Sequence, residues 1–127
     1  MSAADTPALS GPADPATLVP LEERCEWRGD EIGDGYVVHL SDDHLAELDA
    51  ALTIAERQVD DVLDISRDAF PLPTLGPALA GVTRDLIDGR GVVLLRGLDP
   101  APYGKERASA IYWGVGAHLG HPWPQNA

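Results

Sequence analysis

One cysteine, nine basic residues and no long apolar run are what this chain has least of, and each scarcity excludes something. With Cys25 alone, no internal disulfide is possible, which suits a reducing compartment. Cys25 also lies among Glu22, Glu23 and Glu26, a negative setting that does not suit a nucleophilic thiolate. The nine Lys and Arg stand against 21 Asp and Glu, a formal net charge of -12. Nucleic acid and anionic lipid both need clustered positive charge to displace counterions, so neither is expected as a partner. No apolar run, Val92 to Leu95 included, is long enough to span a bilayer. The first basic residue is Arg24, and Pro7, Pro12, Pro15 and Pro20 interrupt the start, so no signal peptide is legible. A cytoplasmic protein without a membrane segment is the expectation.

What is present reads as at most one domain of 127 residues, behind a tail. Residues 1–20 are rich in Ala, Pro, Ser, Gly and Thr and lack the apolar periodicity that offsets ordering entropy, so a disordered tail is expected there. Residues 21–127 carry the folded part. Trp27 sits in a short extended segment, and Gly33-Asp34-Gly35 marks a turn. Tyr36 to Leu40 is β-rich and bounded by turn residues, hence a strand. Ser41 offers a helix cap, with Asp42 and Asp43 at the positive end of the dipole. Leu45, Leu48, Leu52, Ala55 and Val59 then predict an amphipathic helix over 42–58.

Phe70-Pro71-Leu72-Pro73 rules out a regular helix in the following connection. Thr74 is the expected cap of a second helix, 75–88, with Leu75, Leu79, Val82 and Leu86 on its core face and Gly89 as its stop. Gly91 to Gly97 encloses four apolar residues, which predicts a strand buried on both faces. Gly104 is the expected cap of a third helix, 105–118, with Ala108, Ile111, Tyr112, Val115 and Leu119 as its core stripe and Gly120 as its end. The resulting fold class is α+β, with about three helices and two or three strands. So few strands leave open edges, and the chain is expected to need more polypeptide to complete its sheet.

Three stretches together carry a resemblance. They are Phe70-Pro71-Leu72-Pro73, then Gly89-Arg90-Gly91-Val92-Val93-Leu94-Leu95-Arg96-Gly97-Leu98, then Ile111-Tyr112-Trp113-Gly114-Val115-Gly116-Ala117-His118-Leu119-Gly120, continued by Pro124-Gln125-Asn126-Ala127. In this order and spacing the chain resembles the N-terminal third of the TauD/TfdA-like Fe(II)- and 2-oxoglutarate-dependent dioxygenases. The resemblance implies the N-terminal region of a double-stranded β-helix (jelly-roll), incomplete here. It implies Fe(II) and 2-oxoglutarate as cofactors, O2 as oxidant and a small molecule as substrate. It also implies two His and one carboxylate on the metal, a set that leaves positions open for the keto acid and O2.

The local signature of that set is His-x-Asp or His-x-Glu, and the chain departs from it. Its four histidines read His39-Leu40-Ser41, His44-Leu45-Ala46, His118-Leu119-Gly120 and His121-Pro122-Trp123. No metal or catalytic residue is therefore assigned, and the 127 residues alone are expected to be inactive and to bind neither cofactor. His118 and His121 are three apart at a helix end, yet Gly120 intervenes and no third ligand is near, so both read as polar residues favoured at a helix C-terminus. His39 and His44 read as structural. Arg96 suits either an anionic ligand or an ion pair, and the acidic excess favours the pair. Trp123, Gln125 and Asn126 are the candidate substrate-binding residues: an aromatic between prolines to line a pocket, and two amides to orient a substrate or hold a loop. The alternative is a small non-enzymatic binding module, or one half of a split enzyme that meets a complementary C-terminal chain or its own copy through the unfinished sheet edge.

Overall fold

The computed structural model describes residues 24–125, so the expected tail and Asn126 lie outside the described residues. In chain order the elements are strand β1 (Val37–His39), helix α1 (Asp42–Gln58), a short 3-10 turn (Val62–Asp64), helix α2 (Leu75–Asp88), strand β2 (Leu94–Arg96) and helix α3 (Gly104–Leu119). The protein is thus mixed helix and strand, with three α-helices and two strands among the described residues.

The two strands pair in parallel, Val37 opposite Leu94 and His39 opposite Arg96. Parallel neighbours need a long crossover, and α1 and α2 supply it. Ladder bonds at either end come from Leu94 N–H to Tyr36 O at 2.9 Å and Leu40 N–H to Arg96 O at 2.8 Å. Upstream, the Trp27 indole N–H donates to Arg90 O at 2.9 Å and holds the first described segment beside the entry to β2. Gly91 makes that entry possible: its φ of +77° is strained for any residue with a side chain, and a Cβ there would meet Cys25 Cβ at 3.3 Å.

α1 begins where its cap predicts. Ser41 Oγ accepts from His44 N–H, and His44 Nδ1 accepts from Ser41 N–H, a reciprocal capping box in which His44 takes the place usual for Glu or Gln. The structural reading of His44 is thereby explained. Leu48, Ala51, Leu52 and Ala55 form the buried stripe of α1, while Leu45 and Val59 pack at its margin. They meet Leu75, Leu79 and Val82 of α2, Ile111 of α3, and Ile65, Phe70 and Leu72 of the connection. No polar or charged residue is buried among those described.

α2 begins at the expected residue but is capped differently. The Thr74 side chain makes no capping bond. Instead the Glu47 carboxylate of α1 reaches across, accepting from Thr74 N–H at 2.6 Å and from Leu75 N–H at 2.8 Å. A carboxylate at a helix N-terminus satisfies otherwise unbonded amides and opposes the dipole. Glu47→Ala is therefore expected to lower stability by about 1–2 kcal/mol, with Glu47→Gln intermediate because one acceptor oxygen remains. A urea midpoint series over the three proteins checks it; equal midpoints would remove Glu47 from the account of α2.

Other expectations are corrected. Leu86, placed on the α2 core face, is 38% exposed, because no described element covers the last turn of that helix. β2 is three residues long, and Leu94 is 38% exposed, so the strand is not buried on both faces; among the described residues it has one neighbour strand. Tyr103 rather than Gly104 caps α3, without a side-chain bond, and the helix starts at Gly104. Tyr112 is 80% exposed. The buried line of α3 runs through Ile111 and Gly114 instead, which turns Tyr112 outward. No helix of the described residues is long and apolar enough to cross a membrane.

α3 is tied to α1 at its start by two polar contacts. Arg107 Nε lies 2.7 Å from Glu56 Oε1, an exposed pair worth at most about 1 kcal/mol. The Tyr103 hydroxyl donates to Asp49 Oδ1 at 2.5 Å. That hydrogen bond, then desolvation and the Asp49 charge, hold the Tyr103 phenol above its ordinary pKa, with Arg107 opposing. An acid held protonated by folding adds stability that is complete below its unfolded pKa, about 10, and is lost as pH rises through the higher folded value. Melting temperature should accordingly fall more steeply above pH ~10 in the native protein than in Tyr103→Phe. Parallel curves for the two would show the contact to be idle.

Candidate functional site

The expected site residues Trp123 and Gln125 follow the C-terminal end of α3, a helix closely packed on the Phe70 segment. Phe70 is fully buried, and its ring lies directly over Gly114: an added Cβ at Gly114 would stand 2.6 Å from Phe70 Cδ1, and closer still to Cγ and Cδ2. Only a glycine lets the Phe70-Pro71-Leu72-Pro73 segment approach the helix so closely. One turn further on, His118 Nε2 is 2.6 Å from the Phe70 carbonyl oxygen. A carbonyl only accepts, so Nε2–H is the donor of this bond. Nδ1 is buried and has no hydrogen-bond partner. It faces α2 at Gly76, where an added Cβ would lie 3.7 Å from Nδ1. The Thr83 hydroxyl of α2 donates to Leu79 O at 3.1 Å and also lies 3.4 Å from Leu119 O.

The result is a helix end held from two sides, by the Phe70 carbonyl and by α2. Beside it lies a shallow concavity of about 760 Å³, with Asp64, Arg67 and Asp68 on one wall and His118, His121 and Pro122 on the other. Its rim carries both charge signs, and its wall is continuous with the segment that leaves the fold.

That segment, His121 to Gln125, is exposed throughout, and Trp123 is 87% exposed. Trp123 and Gln125 thus stand on one exposed strip beyond α3, and Asn126 lies outside the described residues. His121 is exposed, and it lines the same concavity as His118. No group of three or more His, Cys, Asp or Glu side chains is placed to hold a metal ion among the described residues. Arg96 is exposed and has no ion pair among them, against the expectation of one. The residue pattern does not single out Phe70 and Gly114 as partners, and it presents His118 only as a residue favoured by the helix dipole. The one signal for the first pair is the glycine itself, a break in an otherwise apolar stripe.

No protein-family model matches the chain. Over 103 residues it is 29% identical to the taurine hydroxylase-like protein SAT17 of Stachybotrys chartarum. The match takes in 80% of this chain and 27% of that protein, so the chain spans little more than a quarter of the relative's length. The relationship is one of low identity to a TauD-like protein.

Proposed function

We propose that these residues form the N-terminal part of a TauD/TfdA-like dioxygenase that oxidises a small molecule with Fe(II), 2-oxoglutarate and O2, and that the metal ligands lie in polypeptide outside them. The observation that carries the reading is the 103-residue likeness to a taurine hydroxylase-like protein. The residues present do not fit the metal. No three of the His, Cys, Asp and Glu side chains among the described residues come together as a ligand set, and His39 and His121 are exposed. No catalytic step is therefore assigned to this chain. Its contribution is a scaffold: a helical layer under the start of a sheet, with Trp123 and Gln125 presented toward the substrate and Asn126 as a further candidate substrate-binding residue. The jelly-roll, the cytoplasmic setting and the completion of the sheet by further polypeptide belong to the same proposal.

The test starts from the mass of the native product in its source cell. A product much heavier than 13.5 kDa, purified and supplied with Fe(II), 2-oxoglutarate and O2, should release succinate in a substrate-dependent way. The 127 residues alone should not. Tight stoichiometric Fe(II) binding by the 127 residues would overturn the placement of the ligands.

A second reading rests on the open sheet. β2 has one strand neighbour among the described residues and exposes Leu94, which suits a module that accepts an extended strand, from a complementary chain or from its own copy. A native product of 13.5 kDa that sediments as a defined complex would favour it.

A further inference from the structure

We infer that His118 is the positioning residue of the segment that carries Trp123 and Gln125, fixing the direction in which that segment leaves the fold. The inference rests on reading the segment as substrate-facing. The root of the segment is tied to the core first at His118. His118 Nε2–H donates to Phe70 O, and Phe70 is itself immobilised, fully buried with its ring over Gly114. Leu119 O, one residue on, lies against the Thr83 hydroxyl of α2. The last turn of α3 is thus held at adjacent residues from two different directions.

Beyond that root the chain has few ways to bend. Gly120 is extended, with φ 174° and ψ -163°. His121 and Trp123 each precede a proline, which biases both to extended backbone, and Pro122 and Pro124 have φ fixed by their rings. A stiff strip of four residues, 121–124, follows one joint at Gly120, so the orientation of Trp123, and the point from which Gln125 continues, is inherited from the clamp behind it. The choice of histidine follows from this geometry. Its ring donates from Nε2 at the reach required, while the flat face and bare Nδ1 fit against α2 at Gly76, where a protonated nitrogen would have nothing to bond.

The experiment is nuclear magnetic resonance on the isotopically labelled 127-residue chain. In the native protein His118 should be the neutral Nε2–H tautomer, and the backbone N–H couplings of Trp123 and Gln125 should share the alignment frame of α3. His118→Gln, whose side-chain amide donates at similar reach, should keep those couplings. His118→Leu should leave the couplings of α3 intact and collapse those of Trp123 and Gln125 toward zero. A residue that serves stability alone would lower the melting temperature of both variants without moving the two arm residues relative to α3. Arm couplings unchanged in His118→Leu, already averaged in the native chain, or lost equally in His118→Gln would overturn the inference, as would an Nδ1–H tautomer. Should His118→Leu fail to fold, the native chain and His118→Gln decide by the same criteria. None of these readouts involves turnover, so failure of the dioxygenase reading, seen as absent succinate release by the native product, is separately recognisable.

Discussion

Phe70→Ala is expected to cost about 3–5 kcal/mol of stability, more than any other single truncation in this protein. The ring is fully buried and lies at the junction of the connection, α2 and α3, so its removal exposes a cavity that the surrounding elements cannot close together. Two losses add: the transfer free energy of the ring and the unfilled volume. A third is particular to this site, because the Phe70 backbone carbonyl is the acceptor for His118, and a loosened connection weakens that bond as well. Small domains are stable by about 5–15 kcal/mol in all, so the variant should retain only a fraction of its stability. A fall in melting temperature of more than about 12 °C is the expected reading for a chain of this size. A loss under about 1 kcal/mol would show that Phe70 is not the anchor of this core.

Gly114→Ala runs against the usual effect of the same exchange. On a solvent-facing helix position, alanine in place of glycine adds about 1 kcal/mol of stability. Here the new methyl would clash with three ring atoms of Phe70, a fully buried side chain. The ring must leave its rotamer or α3 must move out, and overpacking of this kind costs about 1–3 kcal/mol net of the helical gain. If the clash with the ring is the cause, the two sites should couple. Phe70→Leu leaves room beside residue 114, so the double variant Phe70→Leu with Gly114→Ala should lose about 1 kcal/mol less than the sum of the two single losses. Strict additivity in that cycle would mean that the ring and the helix do not press on each other.

The same pair explains why the core face of α3 differs from its apolar pattern. A stripe of apolar side chains reads as Ile111, Tyr112, Val115 and Leu119, because glycine contributes nothing to a hydrophobic pattern. In the fold, the absence of a side chain at Gly114 is what admits Phe70, and the helix rotates so that this gap, not Tyr112, faces inward. Trp123 and Gln125 are legible as candidates from their place between prolines and after them, but nothing near them in the chain announces the clamp at His118. Its acceptor is 48 residues away.

What the amino-acid sequence determined by itself was therefore local. The bounds of α1, the bounds of α2, the capping of α1 by Ser41, the stops at Gly89 and Gly120 and the absence of a His-x-Asp or His-x-Glu pair all follow from residues within one or two turns of each other. Hydrogen bonds between near neighbours and the period of apolar side chains are short-range, so they survive translation into a list of residues. Tertiary structure alone decided the rest: the parallel pairing of β1 with β2, the Glu47 cap on α2, the outward Tyr112 and Leu86, and the grip of the Phe70 carbonyl on His118. Each of these depends on which surface arrives opposite, and burial belongs to the pair of surfaces that meet rather than to either residue before they do.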